Sequence, residues 1–308
     1  MNKPEKNTES KKSATQSEST FADLDLTDEM MQALERAGYE IPSPVQAGVI
    51  PPALDGLDVM GQAQTGTGKT AAFTIPILEQ LAPREEISTV QALVLVPTRE
   101  LAVQVRNEFE KLAYFMDFKT VAIYGGHSIK KQIEELKRGV QVVVGTPGRV
   151  LDHIRRKTLD LRETWCVTLD EADRMLDIGF RPDIERILNS VSRKDRQTLL
   201  LSATVPPSIE RLAKRYMSDP TVLDFSKDAV SGDSIEQFYF SVDKVKKFEL
   251  LERLLRREDP AQAIIFCRTK RGTDKLAKRL KESFSNVGCI HGDMNQPARD
   301  RVMKKFRD

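Results

Sequence analysis

Residues 166–177 read "CVTLDEADRMLD". A short apolar run, Cys166 to Asp170, is followed at once by three carboxylates, Asp170, Glu171 and Asp173. An unpaired buried carboxylate is costly, so acids abutting a buried strand point to a positively charged partner. One alternative is a solvated acidic helix start, since Asp and Glu favour the first helical turn.

Working outward, similar apolar runs recur between turn signals: "ALVLV" (92–96), "TVAIY" (120–124), "VQVVVGT" (140–146) and "TLLLSAT" (198–204). Helical stretches separate them. Over 99–116, for example, Leu101, Val105, Phe109 and Leu112 recur at 3.6-type spacing. Near-continuous apolar strands alternating with helices predict an α/β fold, a parallel sheet covered on both faces. Ligands of such sheets bind at the carboxyl ends of the strands, where the acids at 170–173 stand.

The partner charge is offered by "AQTGTGKT" (63–70). Gly66 and Gly68 allow backbone N–H groups to turn inward around phosphate, and the following helix N-terminus adds positive potential. Lys69 would reach the β- and γ-phosphates and the Thr70 hydroxyl would ligate Mg²⁺. Ala63 stands where the strict form of this loop has its first glycine, and a flexible turn before a helix is the alternative. A phosphate loop needs a carboxylate at a neighbouring strand end to hold the metal. Asp170 is placed for that, with Glu171 to orient or deprotonate the attacking water.

With these residues in view, the chain from Phe21 onward resembles the DEAD-box ATP-dependent RNA helicases, in wording closest to bacterial members. Asp170-Glu171-Ala172-Asp173 is that family's hallmark, and "AQTGTGKT" is its phosphate loop, Ala63 included. The resemblance implies two RecA-like parallel-sheet lobes, the second incomplete, with ATP and Mg²⁺ as cofactors. Phe21, Gln46 and the loop Ala63, Gln64, Thr65, Gly66, Thr67, Gly68, Lys69 and Thr70 would bind ATP. Phe21 would stack on the base, and the Gln46 carboxamide would match the adenine edge in bidentate fashion. Lys69, Asp170 and Glu171 would carry catalysis, and Thr70 and Asp170 the metal.

The resemblance also implies that Asp173, Ser202, Ala203 and Thr204 couple the nucleotide site to RNA. RNA contacts would come from Pro97, Thr98, Arg99, Gly125, Gly126, Thr146, Pro147, Gly148 and Arg149 in the first lobe, and Gln296 and Arg299 in the second. Helix capping is the other reading of Thr98 and Thr146. The implied activity is local unwinding of short RNA duplexes at the cost of ATP. An ATP-gated clamp on RNA and a DNA helicase of the same superfamily are the competing readings. No HRxGRxxR-like sequence occurs in the 308 residues. The chain as given is therefore expected to lack the family's final motifs and to be inactive alone.

Composition is compatible with a polyanion partner. Residues 227–308 carry 19 Lys/Arg against 13 Asp/Glu, and residues 1–226 carry 29 against 33. The basic clusters Arg155–Lys157 and Lys278–Lys281 read as solvated helix faces. Cys166, Cys267 and Cys289 form no CxxC pair, and His127, His153 and His291 lack metal-ligand spacing, with no metal-type partner near His127 or His291. There is no secretory h-region and no run of membrane-span length. The expectation is a soluble, cytoplasmic monomer with RNA and ATP as partners, and possible protein partners in RNA metabolism. Its segments would be a disordered polar tail at 1–20, an ATP-binding lobe at 21–225, a linker at 226–234 and the start of a second lobe at 235–308. In that second lobe "IEQFYFSV" (235–242) and "AIIFCRT" (263–269) read as strands, the latter buried, with an amphipathic helix over 244–257.

Overall fold

A computed structural model describes residues 20–82, 89–192, 196–226 and 236–307. The expected tail and linker therefore lie outside the described residues, except for Thr20 and Ser226. The chain divides into two compact units near residue 230, residues 126–128 being grouped with the second.

The first unit opens with a 3₁₀ turn, Phe21–Leu24, and then α1 (Asp28–Ala37), α2 (Pro44–Leu54), β1 (Val59–Gln62) and α3 (Lys69–Gln80). It continues through β2 (Ala92–Leu95), α4 (Arg99–Leu112), β3 (Thr120–Ile123), α5 (Ile129–Lys137), β4 (Val142–Gly145) and α6 (Pro147–Arg155). β5 (Cys166–Asp170), α7 (Ala172–Asp177), α8 (Arg181–Ser190), β6 (Gln197–Ser202), α9 (Pro207–Tyr216) and β7 (Thr221–Asp224) complete it. The seven strands form one parallel sheet in the order β3-β4-β2-β5-β6-β1-β7.

Strand alternation sends side chains to two cores. Ala92, Val94, Val142, Val144, Leu199 and Leu201 pack with α2, α3 and α4, while Leu93, Leu95, Val143, Val167, Leu169 and Leu200 pack with α6 to α9. Every residue of β2, β4, β5 and β6 is buried, so these strands read as unbroken apolar runs. β1 and β7 alternate in burial, β7 because it is the sheet edge. Asp58, at the foot of β1, accepts from the Thr198 and Ser218 N–H groups, both at 2.6 Å. That clamp fixes β1 beside β6.

The helices obey local rules. In α4, Thr98 caps the start by accepting from the Leu101 N–H at 3.2 Å. Ala102, Val105, Phe109 and Leu112 then bury one face. Gly38, at φ +76°, ends α1 in the left-handed conformation that glycine adopts without strain.

The second unit holds α10 (Lys247–Glu258), α11 (Lys270–Leu280) and α12 (Gln296–Arg307). Two expectations are corrected here. Neither 235–242, in the part described, nor 263–269 forms a strand, and the second is not buried: Phe266 is 93% exposed. An extended run becomes a strand only when a neighbour supplies the hydrogen-bond ladder, and no strand is assigned among the described residues of this unit. The amphipathic helix begins three residues later than expected, at Lys247.

Candidate active site

The carboxyl ends of β5, β6 and β1, three adjacent strands, hold the acids, Ser202–Thr204 and the phosphate loop respectively. The Ala63 N–H donates to the Ser202 carbonyl at 2.9 Å, so the loop leaves β1 still in register with β6. Gly66 and Gly68 take φ of +83° and +95°, conformations strained for any other residue. Nothing lies within 4 Å of where a Gly66 side chain would begin. Thr67 Oγ1 donates to the Gln64 carbonyl at 2.8 Å and closes the turn. Thr65 is exposed and Thr70 half-buried at the start of α3.

Lys69 is 6% exposed, and its Nζ donates to the Ala63 carbonyl at 2.5 Å. Its charge bears on Asp170, which is buried at the end of β5. Burial pushes the Asp170 carboxyl up to about 6 against the pull of Lys69, and Glu171 adds repulsion. Among the described residues only the Glu171 N–H donates to it directly, at 2.9 Å. A buried lysine, a glycine-bearing loop at the N-terminus of α3 and a carboxylate whose charge is costly without a cation form a set that fits a triphosphate with Mg²⁺.

The raised value carries a stability prediction. A folded pKa near 6, above an unfolded value of about 3.9, means that the folded state binds the extra proton between those limits. Stability is therefore lost as pH rises through that window. Asp170→Asn keeps the acceptor for Glu171 and removes the charge. Thermal unfolding at pH 7–8 should show it stabilised by up to about 3 kcal/mol, a gain that vanishes below pH 4. A neutral or destabilised variant at pH 8 would contradict the assigned cost.

Glu171 takes φ +49° and ψ +50°, a left-handed conformation costly for a residue with a Cβ. Its carboxylate accepts from Arg174 Nη1 at 3.0 Å. Asp173 turns the other way. Its Oδ2 accepts from the Thr204 N–H at 2.9 Å and hydroxyl at 2.7 Å, while its own N–H donates to Ser202 Oγ at 3.1 Å. Partial burial works against the Asp173 charge, but donation from the Thr204 hydroxyl, the Arg174 N–H and the Ser202 hydroxyl holds the carboxyl below its ordinary range. Ala203 is tied in through its carbonyl, which accepts from Gln62 Nε2 at 3.4 Å.

Gln46 is buried beside this loop. Its Oε1 accepts from the Ser43 N–H at 2.9 Å and its Nε2 donates to the Gly68 carbonyl at 3.2 Å. One hydrogen of the carboxamide thus braces the phosphate loop, a role the sequence did not suggest, while one lone pair caps the start of α2. Phe21 is 3% exposed in the core, its ring perpendicular to that of Tyr39 with the centroids 6.1 Å apart.

The other half of the same sheet edge carries the expected RNA row. Pro97, Thr98 and Arg99 follow β2, Gly125 and Gly126 follow β3, and Thr146, Pro147, Gly148 and Arg149 follow β4. These are three neighbouring strands. A Cβ on Gly125 would stand 3.7 Å from Arg99 Nη2, and Gly126 takes φ +79°. The Thr146 N–H donates to the Ile123 carbonyl at 3.1 Å, binding two of the three loops together. Gln296 and Arg299 stand on α12 of the second unit, where Gln296 Nε2 donates to Asp300 at 2.8 Å.

One model, described as the DEAD/DEAH box helicase family, matches residues 43–212, and another, the helicase conserved C-terminal domain, matches residues 246–308. The chain belongs to the DEAD/DEAH box helicase family. It is 48% identical over 289 residues to the DEAD-box ATP-dependent RNA helicase CshA of Geobacillus kaustophilus, covering 94% of this chain and 61% of that one. The CshA of Bacillus subtilis is 46% identical, with 94% and 58% covered. The chain thus spans 54–61% of the length of several such curated relatives. A crystal structure of a DEAD box protein from Methanococcus jannaschii matches with a TM-score of 0.64 and 42% identity, over 94% of this chain and 77% of that one. The parallel sheet of the first unit is accordingly the RecA-like sheet of DEAD-box proteins.

His291 differs from expectation. Its Nε2 lies 2.9 Å from Asp274 Oδ1, and with Cys289 the three ligand atoms fall within 4.8 Å of one another. Helix α11 brings Asp274 there, which spacing along the sequence hides. The Asp293 N–H donates to His291 Nδ1 at 3.4 Å, so Nε2 carries the proton toward Asp274. A metal-bound histidine needs the opposite, a donor at its other nitrogen. The cluster is satisfied as a hydrogen-bonded pair.

Proposed function

We propose that this DEAD-box chain binds ATP with Mg²⁺ on β1 and β5 and RNA along the ends of β2, β3 and β4, and couples ATP hydrolysis to local separation of short RNA duplexes. The observation that carries the reading is the division of one sheet edge: phosphate loop and acids on one half, polar and glycine-rich loops on the other, with Asp173, Ser202 and Thr204 bonded near the join. The matched relatives' names, ATP-dependent RNA helicases, support it.

In this reading Lys69 neutralises charge on the β- and γ-phosphates, and Thr70 and Asp170 hold the metal. Bound Mg²⁺ supplies positive charge to the phosphate oxygens that develop charge during transfer. Glu171 orients the attacking water and takes its proton. Gln46 has one donor and one acceptor left for an adenine edge, which favours ATP over GTP by about 1–3 kcal/mol. Thr98, Arg99, Thr146 and Arg149 contact phosphates and 2′-hydroxyls of one strand, and Gln296 and Arg299 are RNA contacts of the second unit taken by itself. We further propose a cytoplasmic monomer. Among the described residues no helix is long and apolar enough to cross a membrane, and the three cysteines are free.

The test compares labelled single strands of RNA and DNA of the same sequence, titrated with the protein and followed by fluorescence anisotropy. RNA should bind more tightly, since 2′-hydroxyl contacts separate the two. Equal affinities would point to a DNA-acting or unspecific polyanion binder.

A further inference from the structure

The structure contains a buried polar chain that ends on one arginine of the RNA row. Gln132, on α5, is 1% exposed. Its Oε1 accepts from Arg149 Nη1 at 3.0 Å, and its Nε2 donates to the Tyr124 carbonyl, just beyond β3, at 3.1 Å. His153 is fully buried on α6, with its Nε2 3.1 Å from that same Oε1 and its Nδ1 2.9 Å from Thr158 Oγ1.

Chemistry fixes the protons. An arginine can only donate, so the Gln132 atom facing it is the carbonyl oxygen, as placed. His153 Nε2 faces the same oxygen and must therefore bear hydrogen. Burial, and next the Arg149 charge, hold the imidazole below its ordinary pKa, so it is neutral at pH 7. Nδ1 is then an acceptor facing the Thr158 hydroxyl, whose one hydrogen is shared between Nδ1 at 2.9 Å and the His153 carbonyl at 3.2 Å. Each contact pairs a donor with an acceptor, and a satisfied buried network of this kind rigidifies what it holds.

We propose that Gln132, itself oriented by His153 and the Tyr124 carbonyl, is a positioning residue that sets the Arg149 guanidinium for an RNA phosphate. The inference rests on the reading of Arg149 as an RNA contact. The identity of the anchor supports it. A carboxylate at 132 would hold the guanidinium equally well but cancel its charge. An amide fixes the direction without adding a negative charge beside the guanidinium. The anchor also joins the loop after β3 to the helix after β4, so two loops of the row are set by one side chain.

The test is the salt dependence of binding to labelled oligouridine, measured by anisotropy between 50 and 200 mM salt. On single strands each lost phosphate contact lowers the slope of log K against log salt by about 0.7. Arg149→Ala should show that loss together with weaker binding. Gln132→Met, similar in size but without the acceptor, should reproduce most of both. The double variant should bind no worse than Arg149→Ala alone. A purely structural role would lower the melting temperature and leave the slope native. Should Gln132→Met prove unfolded by circular dichroism, Gln132→Glu keeps both acceptor contacts and is expected to weaken RNA binding through charge cancellation. Native affinity and slope in the folded Gln132 variant, with Arg149→Ala impaired, would overturn the positioning role and leave the RNA reading standing. A native slope in Arg149→Ala itself would overturn both.

Discussion

Replacing Glu171 by Gln is expected to stop ATP turnover while leaving ATP bound. Glu171 follows the buried end of β5 in a left-handed backbone conformation. Strain of this kind persists where the surrounding structure imposes it, often at active sites. Gln has the same length and the same backbone cost, so the fold should hold. The variant loses the ability to take a proton from water, an effect typically worth 10²–10⁴-fold. Its other partner is the largely exposed Arg174, a surface pair worth at most ~1 kcal/mol, so stability should barely change. Single-turnover hydrolysis with protein in excess over ATP reads the chemical step even when it is slow. A rate within a few-fold of the native chain would remove Glu171 from the mechanism.

Lys69→Ala should instead abolish nucleotide binding, through two losses rather than one. The ammonium that would meet the β- and γ-phosphates disappears. Asp170 also loses the charge that pulls its carboxyl down, so a group already pushed up to about 6 moves higher still. A larger protonated share weakens Asp170 as a metal ligand. A hydrogen bond to a charged group is worth about 1.5–3 kcal/mol, so the lost phosphate contact alone should cost roughly 10–10²-fold in affinity. Titration with a fluorescent ATP analogue measures this. Affinity within about twofold of native would mean that Lys69 faces no phosphate.

Much of this was legible in the sequence for a plain physical reason. β2, β4, β5 and β6 are buried along their whole length, so each shows as an apolar run, and β3 is apolar enough to follow. β1 and β7 were not read as strands. "VMGQ" and "TVLD" each hold only two apolar side chains beside glycine or polar residues, too few to stand out. The phosphate loop and the acids were legible because their chemistry demands particular residues at close spacing. The contacts that join them were not. Gln46 and Gly68 are 22 residues apart, and Gln132 and His153 are 21 apart, with no local pattern to link them. "AIIFCRT" misled, because the apolar run finds no partner strand among the described residues. That outcome depends on what lies next to a segment in space, which composition cannot report.

The central claim is that β1 and β5 together hold ATP through a metal at Asp170. Calorimetric titration of ATP, with and without Mg²⁺, into the native chain and Asp170→Asn tests it most directly. Mg²⁺ should tighten ATP binding to the native chain by tenfold or more, on the order of 1.4 kcal/mol, and should add little for Asp170→Asn. Equal tightening in both proteins would contradict the account, because the metal would then be held without the acid that the fold buries beside Lys69.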